Sequence, residues 1–283
     1  MFITHMVVSC PPYEDTLAPQ AAPLLGLGVY DAKLFLRYPL PEILRVASSP
    51  ESALAAAAPF KAAHMEVDIV PQSELERIPA AAQAVSFAFE NDAVRFTTTH
   101  NEFHCVVGSL RLMVSWEYDL VSKGPAPMSG PGFSPMRALA EAGTKMAFGE
   151  PVGHGSAGRS ATGGPVKTVL QMHAADLYAI DRGRLTRVGL DQGSLDFSGL
   201  GGEMKPGGVA NWRALVARLK RLAPGMVIDD ILEQTKPRKL AIDRKWTMEA
   251  QEAEGSEFAR RLLMDHKELY SLLSARRLCG EHQ

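Results

Sequence analysis

Three residues in the stretch THNEFHC, His100, Glu102 and His104, have the donor chemistry for a divalent cation, two imidazoles and a carboxylate. On one continuous strand a period of two would point all three to the same side. The apolar phase argues against that strand. Val94 and Phe96 put the core face on even-numbered positions, whereas Phe103, Cys105 and Val107 put it on odd-numbered ones. The flip predicts a turn or bulge at about His100 to Glu102 that scatters the three side chains, so no metal site is expected.

A second candidate is GHGSAGRS, residues 153 to 160, which satisfies GxGxxG and nearly satisfies the P-loop pattern. Both motifs hold a phosphate only where a helix starts at the last glycines and aims its free N–H groups at the anion. SATGGP follows at once, and Gly163, Gly164 and Pro165 exclude that helix. What remains is a loop that closes over an anion through Arg159 and the backbone at Gly155, with His154 as a proton-transfer group. No cofactor is expected.

VVSCPPY, residues 7 to 13, resembles the strand-then-[DNS]PP[YFW] motif of amino-group DNA methyltransferases, in which a polar residue grips the target amine and an aromatic ring stacks on the base. Cys10 stands where the acid, amide or serine is required, and a FxGxG methyl-donor motif is absent. GLGGEMKPGG, residues 199 to 208, is similar to the Gly-rich loop of the RNA-binding RAMP proteins of CRISPR systems, which are built on ferredoxin-like folds. The resemblance covers about ten of 283 residues, Gly199, Gly201, Gly202, Lys205, Gly207 and Gly208 among them. It implies that glycines bring the backbone close to RNA phosphates while a basic side chain assists. In that family the loop runs into a strand, whereas here VANWRALVARLKRL has helical periodicity. Arg213, Arg218 and Arg221, with Lys220, extend the basic surface along the predicted helix, opposite Trp212 and Leu215.

The elements that must carry these residues are legible in part. MFITHMVV and MEVDIV read as strands, EILRVA as a helix opened by Pro41, and ESALAAAAPFKAA as an Ala-rich helix broken near Pro59. Val85, Phe87 and Phe89 share one strand face, Asn91-Asp92 turns the chain, and Val94 and Phe96 return. Leu110, Leu112, Val114 and Trp116 alternate again. Ser134-Pro135 predicts a helix start, and Asp181-Arg182-Gly183 the turn of a hairpin. Trp212, Leu215, Val216, Leu219 and Leu222 form a helical stripe ended by Pro224-Gly225, and a last stripe runs through Phe258, Leu262, Leu269, Leu272 and Leu273.

Composition sets the class: 46% hydrophobic and 22% charged residues describe a globular chain. Cys10, Cys105 and Cys279 lie far apart with no CxxC, which excludes a cysteine zinc site and fits a reducing cytoplasm. No apolar run reaches the roughly 18 residues of a membrane helix, so no membrane partner is expected. The Ala, Arg and Gly usage resembles that of a GC-rich bacterial genome. From Lys205 onward the balance is 15 Lys and Arg against 11 Asp and Glu, while residues 1 to 204 carry 15 against 21.

The expected fold is α+β, an antiparallel or mixed sheet with packed helices, divided into a β-rich body over 1–204 and a helical, mildly basic segment over 205–283. The expected function is a cytoplasmic, nucleic-acid-associated, RNA-binding protein, a subunit of a larger assembly whose partners are RNA or other protein subunits. Its contacts would be Gly201, Gly202, Lys205, Gly207, Gly208, Arg213, Arg218 and Arg221. Two alternatives stand beside it: a small-molecule enzyme with its anion at His154, Gly155 and Arg159, and a non-catalytic interaction or scaffold protein.

Overall fold

All five residues of the first strand, β1 (His5–Ser9), are buried, so both its faces are covered and no polar face was available to sequence alternation. A computed structural model of the chain describes residues 4–123, 167–235 and 265–280. The chain forms two compact units, one of Met1–Ala80 with Asp229–Gln283 and the other of Ala81–Ile228. The boundaries thus fall at residues 80 and 228, and the helix that follows residue 204 packs on the sheet that precedes it.

In the first unit β1 is followed by α1 (Ala18–Leu25), α2 (Val29–Leu36), β2 (Ile43–Ala47), α3 (Pro50–Ala62), β3 (Val67–Pro71) and α4 (Gln72–Glu76). β1 lies between β2 and β3 and runs antiparallel to both, so β2, α3 and β3 make a split β-α-β unit. EILRVA is therefore a strand and not a helix. Ile43 and Val46 are β-branched, and pairing with β1 outweighs the first-turn preference of Pro41. α3 starts on a capping box, in which the Ser49 hydroxyl accepts from the Ser52 N–H at 3.1 Å and the Ser52 hydroxyl accepts from the Ser49 N–H at 3.1 Å. The helix continues through Pro59 where a break was expected. Its buried stripe, Ala53, Ala57 and Phe60, crosses the proline, and this packing offsets the one lost hydrogen bond.

The second unit is a seven-stranded mixed sheet made of β4 (Ala82–Glu90), β5 (Ala93–Thr98), β6 (Glu102–Val106), β7 (Leu110–Lys123), β8 (Lys167–Asp181), β9 (Arg184–Asp191) and β10 (Val227–Asp229). Its order is β10-β7-β8-β9-β4-β5-β6. Two antiparallel meanders meet where β4 runs parallel to β9, with Ala82 opposite Val188. The β8–β9 hairpin turns at Arg182 and Gly183, both left-handed at φ 49° and 78°, as the predicted turn requires. The predicted helix is α5 (Gly208–Leu222). Its buried Trp212, Leu215 and Leu219 join Phe87, Val94, Phe96, Met113, Ala175, Leu177 and Leu190 in one core, which covers one face of the sheet.

The chain then returns to the first unit through α6 (Ile231–Gln234) and α7 (His266–Gly280). Leu269, Leu272 and Leu273 are buried, as the last stripe predicts, while Phe258 and Leu262 of that stripe lie outside the described residues. Arg276 anchors α7 by donating to Asp68 on β3 and to Glu74 on α4, both at 2.6 Å. Among the described residues no helix is long and apolar enough to cross a membrane.

Candidate nucleic-acid interface

The Gly-rich run is an ordered loop whose glycines do different work. Asp196 opens it: its N–H donates to the Val85 carbonyl at 2.8 Å and its carboxylate accepts from the Ser198 N–H at 2.9 Å, so the loop is laid along β4. Two 3-10 turns follow over Phe197–Glu203. At Gly199 a Cβ would stand 2.0 Å from the Phe87 carbonyl oxygen, so that glycine is required by contact with the sheet, away from any ligand. Gly201 has φ 57° and ψ −126°, a conformation open in practice to glycine alone, and Gly201 and Gly202 are exposed.

The loop closes on α5 through Asn211, whose buried side-chain oxygen accepts from the Lys205 N–H at 2.6 Å. Gly207, at φ 96°, caps the helix with no side chain. The positive end of the helix dipole therefore borders the loop. Gly208 is buried under the first turn.

Helical period then sorts the remaining side chains. Trp212, Leu215 and Leu219 face the core, and Arg213, Ala217, Lys220 and Arg221 are exposed on the opposite side. Lys205 is also exposed, as is Met204 at 56% of its surface. α5 has four basic residues and no acidic one. Arg218 lies at the edge between the two faces. Its guanidinium is 4.0 Å from the centroid of the Phe89 ring and donates to the Leu200 carbonyl at 3.3 Å. Glu203, on the loop, reaches both arginines: Arg221 donates to its two oxygens at 3.0 and 2.9 Å, and Arg218 is 3.8 Å away.

The fold thus brings Arg218 and Arg221 against the loop that carries Gly201 and Gly202 and ties Lys205 to the start of α5, while Arg213 lies on the exposed side of that helix. Gly207 and Gly208 shape its backbone and present little surface. Glu203 belongs to the same surface as Arg218 and Arg221, while Phe89 and the buried Asn211 position it, and none of the three was expected as a site residue. Phe89 gave a signal only as an apolar strand residue, and nothing in the sequence singled out Glu203. The division into units also moves the charge. Ala81–Ile228 carries 15 Lys and Arg against 12 Asp and Glu, so the unit with the loop is the net positive one.

On the same sheet face the buried His173 ring stacks on Trp212, with centroids 6.0 Å apart and planes 9° from parallel. Its Nδ1 is 3.7 Å from Glu117, the residue paired with it on β7, and the His173 backbone N–H donates to the Gln192 side-chain oxygen at 3.0 Å. The stack on Trp212 joins the start of α5 to β8. Trp212 is a core residue, as its place in the stripe implies.

THNEFHC contains the expected turn. The Thr98 hydroxyl accepts from the Asn101 N–H at 2.9 Å, and His100 sits at the exposed tip. Glu102 and His104 share a face of β6, where Arg95 bridges Glu90 at 2.9 Å and Glu102 at 3.4 Å. A guanidinium thus occupies the place between the carboxylates that a cation would take.

At the end of β1 the Cys10 N–H donates to the Tyr13 hydroxyl at 2.7 Å, and that hydroxyl donates in turn to the Glu66 carbonyl. Burial, then the carboxylates of Asp68 and Glu66, push the Cys10 thiol up, the reverse of what a nucleophile needs. The anion loop with His154, Gly155 and Arg159, and the helix expected after Ser134, lie outside the described residues.

No protein-family model matches the chain, and no curated protein and no solved structure matches it.

Proposed function

We propose that the second unit binds nucleic acid, single-stranded RNA in the first instance, through the loop at 201–207 and the solvent face of α5. One observation carries this reading: every charged side chain on that helix is a cation, Arg213, Lys220 and Arg221 are exposed, and the glycine-rich loop that leads into the helix exposes Lys205. A one-signed face next to an open backbone and a positive helix end suits a phosphate chain. The exposed Met204 adds an apolar contact for a base.

Fluorescence anisotropy with a short single-stranded RNA across a salt series tests it. Affinity should fall with salt, and Lys205→Ala with Arg213→Ala and Lys220→Ala should reduce the log–log slope by about 2, at roughly 0.7 per lost phosphate contact. Absence of binding by the intact protein at low salt would remove the proposal.

A further inference from the structure

Glu203 is the only acidic residue between Phe197 and Leu222, and it lies on Arg218 and Arg221. Arg218 and Arg221 stand one turn apart on α5. Arg218 does not depend on Glu203 for its position, because the Phe89 ring beneath it and the Leu200 carbonyl beside it already fix the guanidinium. The carboxylate takes the open side. Its two oxygens both accept from one Arg221 nitrogen, at 2.9 and 3.0 Å, a charge-assisted contact that a phosphate oxygen makes equally well.

The contact that holds Glu203 is a solvent-exposed one. The Glu203 side chain is 43% exposed, Gly201 and Gly207 are left-handed at φ 57° and 96°, and a Cβ at Gly202 would meet nothing within 4 Å. Exposed ion pairs of this type shift an equilibrium by only a few-fold, so an arriving phosphate can replace the carboxylate.

We infer that Arg218 and Arg221 form a phosphate subsite and that Glu203 is its intramolecular competitor, displaced when a nucleic-acid phosphate group binds. The inference rests on the RNA reading of this face. It adds a regulatory role to an acidic residue that the charge pattern alone would count as an obstacle. No covalent step is involved, and Glu203 acts by occupancy.

A double-mutant cycle tests it. Glu203→Gln keeps the size of the side chain and should tighten RNA binding about three- to ten-fold at low salt. In an Arg221→Gln background the same change should gain less than about two-fold. An equal gain in both backgrounds would show that only the general field had changed and would overturn the subsite while leaving the RNA reading intact. Inorganic phosphate supplies the separate arm, followed by NMR of the arginine Nε–Hε signals. Glu203→Gln should give a saturable shift at Arg218 and Arg221 at phosphate concentrations several-fold below those the wild type needs, with the amide spectrum confirming the fold. No saturable shift in that variant overturns the subsite. If RNA fails to bind any variant, the RNA reading falls, and the phosphate titration still decides the subsite.

Discussion

The guanidinium of Arg218 lies 4.0 Å from the centre of the Phe89 ring, which joins helix α5 to the end of strand β4. Phe89 in turn meets Phe87 edge-on at 5.5 Å, so the cation rests on an aromatic ladder continuous with the core. Phe89→Leu keeps apolar bulk and removes the π face. It should cost about 0.5–1 kcal/mol of stability in urea unfolding, while Phe89→Tyr should cost less than half of that.

Two neighbouring glycines should respond oppositely to alanine. Gly199→Ala drives a methyl into the Phe87 carbonyl and should destabilise the second unit by about 1–3 kcal/mol. Gly202→Ala enters open space and should stay within about 0.5 kcal/mol. Chemical denaturation of both variants checks the difference; equal losses would contradict the close approach.

Asp176 and Arg187 form an ion pair at 2.6 Å with side-chain exposures of 2% and 6%. Asp176→Asn removes the negative charge opposite a buried guanidinium and should cost about 3–5 kcal/mol. Replacing the pair together, Asp176→Leu with Arg187→Met, should recover most of that loss, because two desolvated charges disappear at once. The urea midpoints of the single and double variants read the result.

Burial, then a hydrogen bond to Asp191 and its negative charge, push Tyr118 up to about 12 from the ordinary 10. The folded chain therefore holds this proton to higher pH than the unfolded chain does. Its contribution to stability is complete below pH 10 and falls as the pH rises toward 12. Tyr118→Phe should flatten that part of the stability–pH curve, measured by thermal unfolding between pH 9 and 12.

Much of the second unit could be read from the chain because its signals are local. Phe87 and Phe89 share a face by the period of a strand, and Arg182-Gly183 turns a hairpin because glycine accepts a left-handed backbone. Trp212 and Leu215 mark the buried side of α5 by the period of a helix. In the first unit β1, β3 and the Ala-rich α3 were legible and β2 was not. Both faces of β2 are largely buried, so alternation vanishes, and Ile43 to Ala47 looks as suited to a helix as to a strand until β1 is beside it.

Taken alone, the residue order determined the α+β class, the turn inside THNEFHC, and a glycine loop that leads into a basic amphipathic helix. Only the tertiary structure decided that residues 229 to 283 rejoin the first 80, that α3 survives Pro59, that Gly199 serves the sheet, and that Glu203 covers Arg218 and Arg221. The physical reason is the same in each case. Period and turn chemistry act over a few residues, whereas burial, close approach and ion pairing depend on which distant side chains the fold sets side by side.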